Sequence, residues 1–354
     1  MNGWSRSLLL PALLGALVGG VLLLVTDQPG KCPQDGYADA VNHAAPSVVS
    51  IYSSRKMQPT LCKLPRYRAW CEKLENGGAA RVDSSLGSGV LVRTDGHIVT
   101  NNHVIEDAEE VLVGLNSGDV LPATVIGRDQ DFDLAVIRVE TTDSPAIQIS
   151  SSEDVHVGDI ALAIGNPFGI GQTVSQGIIG AVRRVVVGES TYDDFMQTDA
   201  AINPGNSGGA LVNTEGELIG INTMIFSRNT GSQGIGFAIP ADVVQYVLDE
   251  ILAHGRVRRG WIGIEVAAQR EGNNEFGFRI TNVDSGGPGA LGGLKVDDTL
   301  MALDDQMPHD RLSISRQVSM RKPGARLKVS VERSEQMIDL VLVVAERPAP
   351  ASEE

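Results

Sequence analysis

The chain has 354 residues, with 29 Lys and Arg against 44 Asp and Glu, for a formal net charge of −15 at pH 7. That acidity excludes a nucleic-acid-binding role, which needs clustered Lys and Arg to neutralise phosphates, while the length accommodates two or three domains. The 40 glycines and 4% aromatic content suit many short strands and tight turns better than a helical bundle.

The N-terminus reads MNGWSRSLLLPALLGALVGGVLLLVTDQPG. Leu8–Val25 runs for 18 residues without a charge. As a helix it spans roughly 27 Å, close to the hydrocarbon thickness of a bilayer. Arg6 precedes it and Asp27 follows, so the positive-inside rule keeps the N-terminus in the cytoplasm and exports the remainder. A cleaved signal peptide is the competing reading. Cleavage after Val18-Gly19-Gly20 would leave the apolar run Val21–Val25 at the new terminus, which favours a retained transmembrane anchor over residues 1–30. An exported location permits a disulfide. Cys62 and Cys71 share one polar, irregular segment and either bridge or stay free; Cys32 is left over. No cysteine has a metal or redox spacing, and no histidine group fits a metal motif, so no metal or cofactor is expected.

Residues 26–45 read as a tether ending in a short amphipathic piece at Tyr37–Ala44. Strands are then predicted at Val48–Tyr52, Gly89–Val92, His97–Thr100, Glu110–Leu115 and Leu134–Val139. Further strands are predicted at Ile160–Ile164, Thr173–Val182, Ala210–Asn213, Leu218–Thr223 and Gly234–Ile239. They are short, β-branched and separated by turn signals such as Thr94-Asp95-Gly96, the pattern of an all-β barrel or sandwich. After Pro240 the period changes. Val243, Val244, Val247, Leu248, Ile251 and Leu252 recur at helical spacing, with Gly255 past the end. Arg256–Gly260 reads as a basic, solvated linker. A second globular piece starts near Trp261 and ends near Val344, and residues 347–354 read as a disordered tail.

Within the β segment, AINPGNSGGA (Ala201–Ala210) places Ser207 among glycines. The run also satisfies G-x-S-x-G, but that pattern requires a helix after the serine. Here ALVNTEGELIGI alternates like a hairpin turning at Glu215-Gly216. Upstream, His103 follows a strand, and Asp133 stands at the mouth of another. The order His103, Asp133, Ser207 is that of chymotrypsin-like enzymes. The residue types fit the chemistry. A serine hydroxyl needs a neutral imidazole to take its proton, and the imidazole needs a carboxylate to fix its tautomer. The developing oxyanion needs backbone N–H donors, which a glycine-rich turn can supply from Gly205 and Ser207. His97 is the rival base, with no obvious strand-mouth acid beside it.

These motifs resemble the HtrA/Deg family of trypsin-like serine proteases. The resemblance is carried by GSGVLV (Gly87–Val92), HIVTNNHVI (His97–Ile105), DFDLAVIRV (Asp131–Val139), AIGNPFG (Ala163–Gly169), TVSQGII (Thr173–Ile179), QTDAAINPGNSGGALVN (Gln197–Asn213) and GIGFAIP (Gly234–Pro240). It implies a mainly β protein, with a chymotrypsin-like double β-barrel at 31–254, the triad His103, Asp133 and Ser207, and one PDZ domain at 259–346. In that domain Trp261, Ile262, Gly263 and Ile264 would form the loop that binds a peptide's C-terminal carboxylate. Gly287-Pro288-Gly289 stands where the family usually has Ser-Pro-Ala, which implies a looser helix start.

One PDZ domain behind an anchor resembles the DegS-type stress sensors of the bacterial inner membrane. For those, the likeness implies a periplasmic homotrimer that captures C-terminal peptides of misfolded envelope proteins and cuts an anti-sigma factor. The segment around Ser47–Tyr52 would join the trimer contact. Arg183–Phe195 and Phe226–Ser232 would be regulatory loops, with Arg183 or Arg184 relaying PDZ occupancy. Ile202, Asn222, Thr223 and Met224 are candidates for the specificity pocket. The long segment Ser53–Leu86 departs from that type and resembles the chaperone-protease branch, so general quality control is the alternative function. A PDZ-bearing binding protein with a dead protease domain is a third reading, opposed by the complete triad.

Overall fold

The runs read as strands are apolar almost throughout, because most of them are buried on two sides. In β6 (Leu134–Val139), Leu134 and Val136 face one core while Ala135, Ile137 and Val139 face another. Successive side chains of a strand point to opposite faces, so a barrel wall packed on a second barrel needs apolar residues on both. The computed structural model describes residues 36–57, 81–141, 144–166, 171–184, 195–203, 205–225, 234–271 and 275–348. The anchor, all three cysteines, residues 185–194 and 226–232 and the tail beyond 348 lie outside the described residues. So do the side chains of Arg183, Arg184 and Met224. Among the described residues no helix is long and apolar enough to cross a membrane.

Helix α1 (Ala38–Ala44) precedes the first barrel. Its strands are β1 (Val48–Met57), β2 (Arg81–Leu91), β3 (His97–Asn101), β4 (Glu110–Gly114), β5 (Val120–Asp129) and β6. They close in the order β1-β2-β3-β6-β5-β4. The second barrel comprises β7 (Ile160–Gly165), β8 (Thr173–Arg184), β9 (Phe195–Thr198), β10 (Ala210–Val212), β11 (Leu218–Ile225) and β12 (Gly236–Pro240). Its order is β10-β11-β12-β9-β8-β7. The expected double barrel is present, with three departures. Strand β5 went unpredicted because its Pro122, Gly127 and polar residues break the pattern, and β9 because it is short. The third is β2, which begins well before Gly89.

Helix α2 (Asn102–Ile105) is one turn at the end of β3. Helix α3 (Ala241–His254) lies across both barrels, with Val243, Val244, Val247 and Ile251 in the inter-barrel core. Gly127 lets it approach β5, since a Cβ there would stand 2.6 Å from the Ile251 side chain. Gly255 ends the helix in the left-handed conformation, its N–H donating to the Ile251 carbonyl at 2.8 Å. Leu252, which the helical period puts on the apolar face, is instead 36% exposed at the margin of that face.

The last unit has its own core, formed by Ile262, Phe278, Ile280, Leu300, Val329 and Leu342 among others. Strands β13 (Gly260–Trp261) and β19 (Ala345–Glu346) pair where the chain enters and leaves it. Between them β14 (Ile264–Glu271), β15 (Glu275–Val283), β16 (Thr299–Leu303), β17 (Arg326–Arg333) and β18 (Gln336–Val343) form one sheet in sequence order, with β14 at its edge. Helix α4 (Pro288–Leu291) and helix α5 (Arg311–Ser319) complete it. Asp310 caps α5 through a reciprocal box with Ser313.

The linker departs from expectation. Arg259 is buried rather than solvated. One guanidinium nitrogen lies 2.8 Å from each oxygen of Asp129, and its Nε lies 2.9 Å from Asp131. The guanidinium also sits 4.8 Å from the centre of the Phe132 ring. Arg258 pairs with Glu250 of α3 at 2.9 Å, and the Tyr246 hydroxyl bonds the carbonyls of Arg258 and Ser319. The PDZ unit is thus fastened to the loop that carries Asp133.

Candidate active site and peptide groove

Strand pairing explains why His103 and Asp133, 30 residues apart, meet. Strands β3 and β6 are antiparallel with Asn101 opposite Leu134, so the turn after β3 and the turn before β6 sit side by side. The Asn102 N–H and the Asn101 side-chain amide both donate to the Asp133 carbonyl at 3.0 Å, tying the two turns together. Asp133 has φ +52°, a left-handed conformation that costs a non-glycine residue about 1 kcal/mol. In it, the carboxylate returns over α2. Its Oδ1 accepts the His103 N–H at 2.9 Å, and its Oδ2 accepts the His103 ring at Nδ1 at 2.7 Å.

Thr223 of β11 adds a third bond to this carboxylate, from Oγ1 to Oδ2 at 3.0 Å. Its carbonyl accepts the Ser207 hydroxyl at 2.8 Å. Thr223 therefore connects the acid to the serine. Among the described hydrogen bonds, none joins Ser207 to His103, so the serine hydroxyl rests on the second barrel. The turn around Ser207 is wedged between the barrels. A Cβ on Gly208 would stand 2.1 Å from the Ser88 carbonyl of β2, and one on Gly209 2.3 Å from the Ile164 carbonyl of β7. No larger residue fits either position. Among the described residues, the N–H groups of Gly205 and Ser207 donate to no acceptor.

His97 has an acid beside it, in the preceding turn rather than at a strand mouth. Its Nδ1 lies 2.7 Å from Asp95. The Arg93 guanidinium, then His97, hold the Asp95 carboxyl well below the usual carboxylate range. This pair stands at the start of β3, at the opposite end of the strand from α2, and no nucleophile is bonded to it among the described residues. Of the pocket candidates, Ile202, Asn222 and Thr223 are all buried, and Asn222 spends its amide on the Ala210 carbonyl at 2.9 Å.

In the PDZ unit a groove of about 640 Å³ runs between β14 and α5. Trp261, Ile262, Gly263 and Ile264 line one end, with Arg311 and Val318 on the helix side. The carbonyls of Ile262 and Gly263 accept from Gly289 and Asp284 at 2.8 and 2.9 Å. In planar trans peptides, the N–H groups of Gly263 and Ile264 then point the other way. Gly263 turns the loop with φ +69°, and Trp261 lies over it, its ring 3.0 Å from where a Cβ would be. Ile262 is a core residue. Gly289 explains the departure from Ser-Pro-Ala, since a Cβ there would stand 2.9 Å from both the Ile262 carbonyl and the Ile264 side chain. Helix α4 begins at Pro288 nonetheless.

Burial pushes the Asp129 carboxyl up from its ordinary value, against the pull of Arg259. In a pair so thoroughly desolvated, the cost of burying both charges offsets much of their attraction.

Comparison with known proteins agrees with this architecture. Residues 87–221 match the trypsin-like peptidase domain, and residues 260–344 match the PDZ domain. The serine endoprotease DegS of Salmonella typhimurium is 37% identical over 367 residues, covering 97% of this chain and 98% of DegS. A protein of Chlamydia pneumoniae described as "Probable periplasmic serine endoprotease DegP-like" is 37% identical over 378 residues, covering 97% of this chain and 76% of that protein. The structure of the HtrA-type protease AlgW with a decapeptide superposes with a TM-score of 0.70 at 39% identity, covering 89% of this chain and 100% of that one. With its two six-stranded barrels and its PDZ unit, the chain belongs to the DegS/HtrA family of trypsin-like serine proteases and is a serine endopeptidase.

Proposed function

We propose that His103, Asp133 and Ser207 are the catalytic triad, with the N–H groups of Gly205 and Ser207 as the oxyanion hole. The observation that carries this is Asp133, whose two oxygens hold the backbone and ring of His103 at 2.9 and 2.7 Å. A carboxylate only accepts, so the His103 proton sits on Nδ1 and Nε2 keeps a free lone pair. The Ser207 hydroxyl leaves the Thr223 carbonyl and turns to Nε2. Oγ attacks the scissile carbonyl as its proton passes to Nε2, and the oxyanion forms between the two N–H donors. Collapse breaks the C–N bond, and Nε2 returns the proton to the leaving amine. Water repeats the sequence in reverse roles and frees Ser207. Asp133 stays ionised and steadies the imidazolium.

The groove beside β14 takes the C-terminus of another protein as an added strand, its carboxylate held by the N–H groups of the Trp261–Ile264 loop. The support is the free sheet edge, the two N–H groups turned from the PDZ body, and a related HtrA-type protease solved with a peptide. Peptide occupancy governs cleavage in an exported, membrane-tethered homotrimer, with a membrane-bound anti-sigma factor as substrate. The test uses the full chain in detergent, with and without a peptide ending in a free hydrophobic carboxylate. Near-zero cleavage of an anti-sigma segment that rises many-fold with peptide supports the sensor role. Retained cleavage by Ser207→Ala would sink the triad.

A second reading is general envelope quality control, favoured by the likeness to the DegP-like protein and by the long segment 53–86. It predicts that an unfolded protein is degraded equally well without peptide.

A further inference from the structure

Ser88 of β2 is wholly buried, yet every polar group it carries is engaged, and two of its four bonds reach the turn of Ser207. Its N–H donates to the Ser207 carbonyl at 2.9 Å. Its hydroxyl donates to the Gly205 carbonyl at 2.7 Å and accepts the Asn166 N–H at 2.9 Å. Its own carbonyl accepts the Thr100 hydroxyl at 2.7 Å.

The peptide units of this turn alternate in a way that gives these bonds meaning. The unit joining Gly205 to Asn206 is held at both ends, its oxygen by Ser88 Oγ and its N–H by the Asn203 carbonyl at 2.9 Å. The unit joining Ser207 to Gly208 is also held at both ends, its oxygen by Ser88 N–H and its N–H by the Asn222 carbonyl at 2.8 Å. Between these lies the unit whose N–H belongs to Ser207, and before them the unit whose N–H belongs to Gly205. Fixing alternate planes fixes the dihedrals that orient the Ser207 plane between them, while the Gly205 plane is held from one side, through the Gly205 Cα. Gly205 has φ +98° and little intrinsic preference, so an outside anchor decides its orientation.

We propose that Ser88 is a positioning residue for the oxyanion hole. Its hydroxyl, reaching from the first barrel to the Gly205 carbonyl, sets the direction of the two N–H donors that meet the substrate oxygen. Ser88 touches no reacting atom and acts through Gly205. The inference rests on the triad assignment above.

The test is Ser88→Ala in the full chain, assayed on a short peptide ester, with a peptide aldehyde as an analogue of the tetrahedral state. A displaced oxyanion donor lowers kcat, by about 10² for a shift near 1 Å, and leaves KM nearly unchanged. Aldehyde affinity falls in proportion to kcat/KM across Ser88→Ala and Ser88→Cys, the latter keeping the shape of serine with a weaker donor. A fluorophosphonate label counts the folded sites. It reaches the wild-type endpoint, more slowly, if the fold is intact, and rates are taken per labelled site. A wild-type kcat per site in Ser88→Ala overturns the inference, as does a loss confined to KM or to the number of sites. Those outcomes leave the triad standing. Cleavage retained by Ser207→Ala removes the triad and this inference together.

Discussion

Arg259 and Asp129 lie 130 residues apart, and a single guanidinium nitrogen of one contacts both carboxylate oxygens of the other at 2.8 Å, with both side chains buried. Arg259 immediately precedes β13 and the peptide loop, while Asp129 ends β5, four residues before Asp133. The peptide groove and the candidate active site are therefore separated by one ion pair and two short turns.

Truncating one partner strands the other charge in a dry environment. Arg259→Ala is expected to cost about 3–5 kcal/mol. The paired change Asp129→Leu with Arg259→Leu recovers most of that, because it removes both charges at once. Urea unfolding of the single and double variants checks this; equal losses would show that packing rather than charge holds the linker.

Thr223 connects the acid and the serine, through its hydroxyl to Asp133 and its carbonyl from Ser207. Thr223→Val keeps the carbonyl and removes the hydroxyl. A hydrogen bond to a carboxylate contributes about 1.5–3 kcal/mol, so kcat is expected to fall by about tenfold or more with little change in KM. Steady-state kinetics on a peptide ester gives the answer, and an unchanged kcat would mean that the two bonds to His103 suffice.

Acid should loosen the PDZ unit through Asp298. Burial pushes the Asp298 carboxyl up, but the bonds from Arg333 and the Lys295 N–H outweigh it and leave it below its ordinary value. A depressed folded value stabilises the fold above the unfolded value of about 3.9, and that stability is lost as pH falls through the folded value. The melting temperature of the PDZ unit is expected to drop on acidification below about pH 4. Asp298→Asn should start lower and flatten that dependence, as calorimetry over a pH series would reveal.

Gly263 occupies φ +69° beneath Trp261. Gly263→Ala adds about 1–2 kcal/mol of backbone strain and pushes against the indole. A fluorescent peptide with a hydrophobic C-terminus is expected to bind about tenfold more weakly. Anisotropy titration measures this; wild-type affinity would place the carboxylate elsewhere.

Local features carried a large part of this protein. The short, apolar, β-branched runs LAVIRV and IALAIG, bounded by turn signals, marked strands, and the 3.6 period after Pro240 marked α3 up to its glycine stop. The glycines beside Ser207 singled it out from the other serines. Where the local pattern weakened, reading failed. The β5 sequence VLPATVIGRD carries a proline, which the barrel holds in register opposite Leu112 of β4, and a glycine at a bulge. The acid beside His97 was not legible because it lies two residues back in a turn rather than at a strand mouth.

Sequence by itself determined most element types, a β segment followed by a second globular piece, and His103, Asp133 and Ser207 as candidates, because periodicity and turn chemistry act over a few residues; the double barrel and the PDZ unit came from the family resemblance of its motifs. Only the tertiary structure decided that β3 and β6 bring Asp133 onto His103. It also decided that Ser207 rests on Thr223, that Ser88 anchors Gly205 across 117 residues, and that Arg259 is buried against Asp129 instead of facing solvent. These contacts depend on strand register and on the docking of one closed unit against another. Register is fixed by the whole buried face of each strand, so no short stretch of sequence contains it.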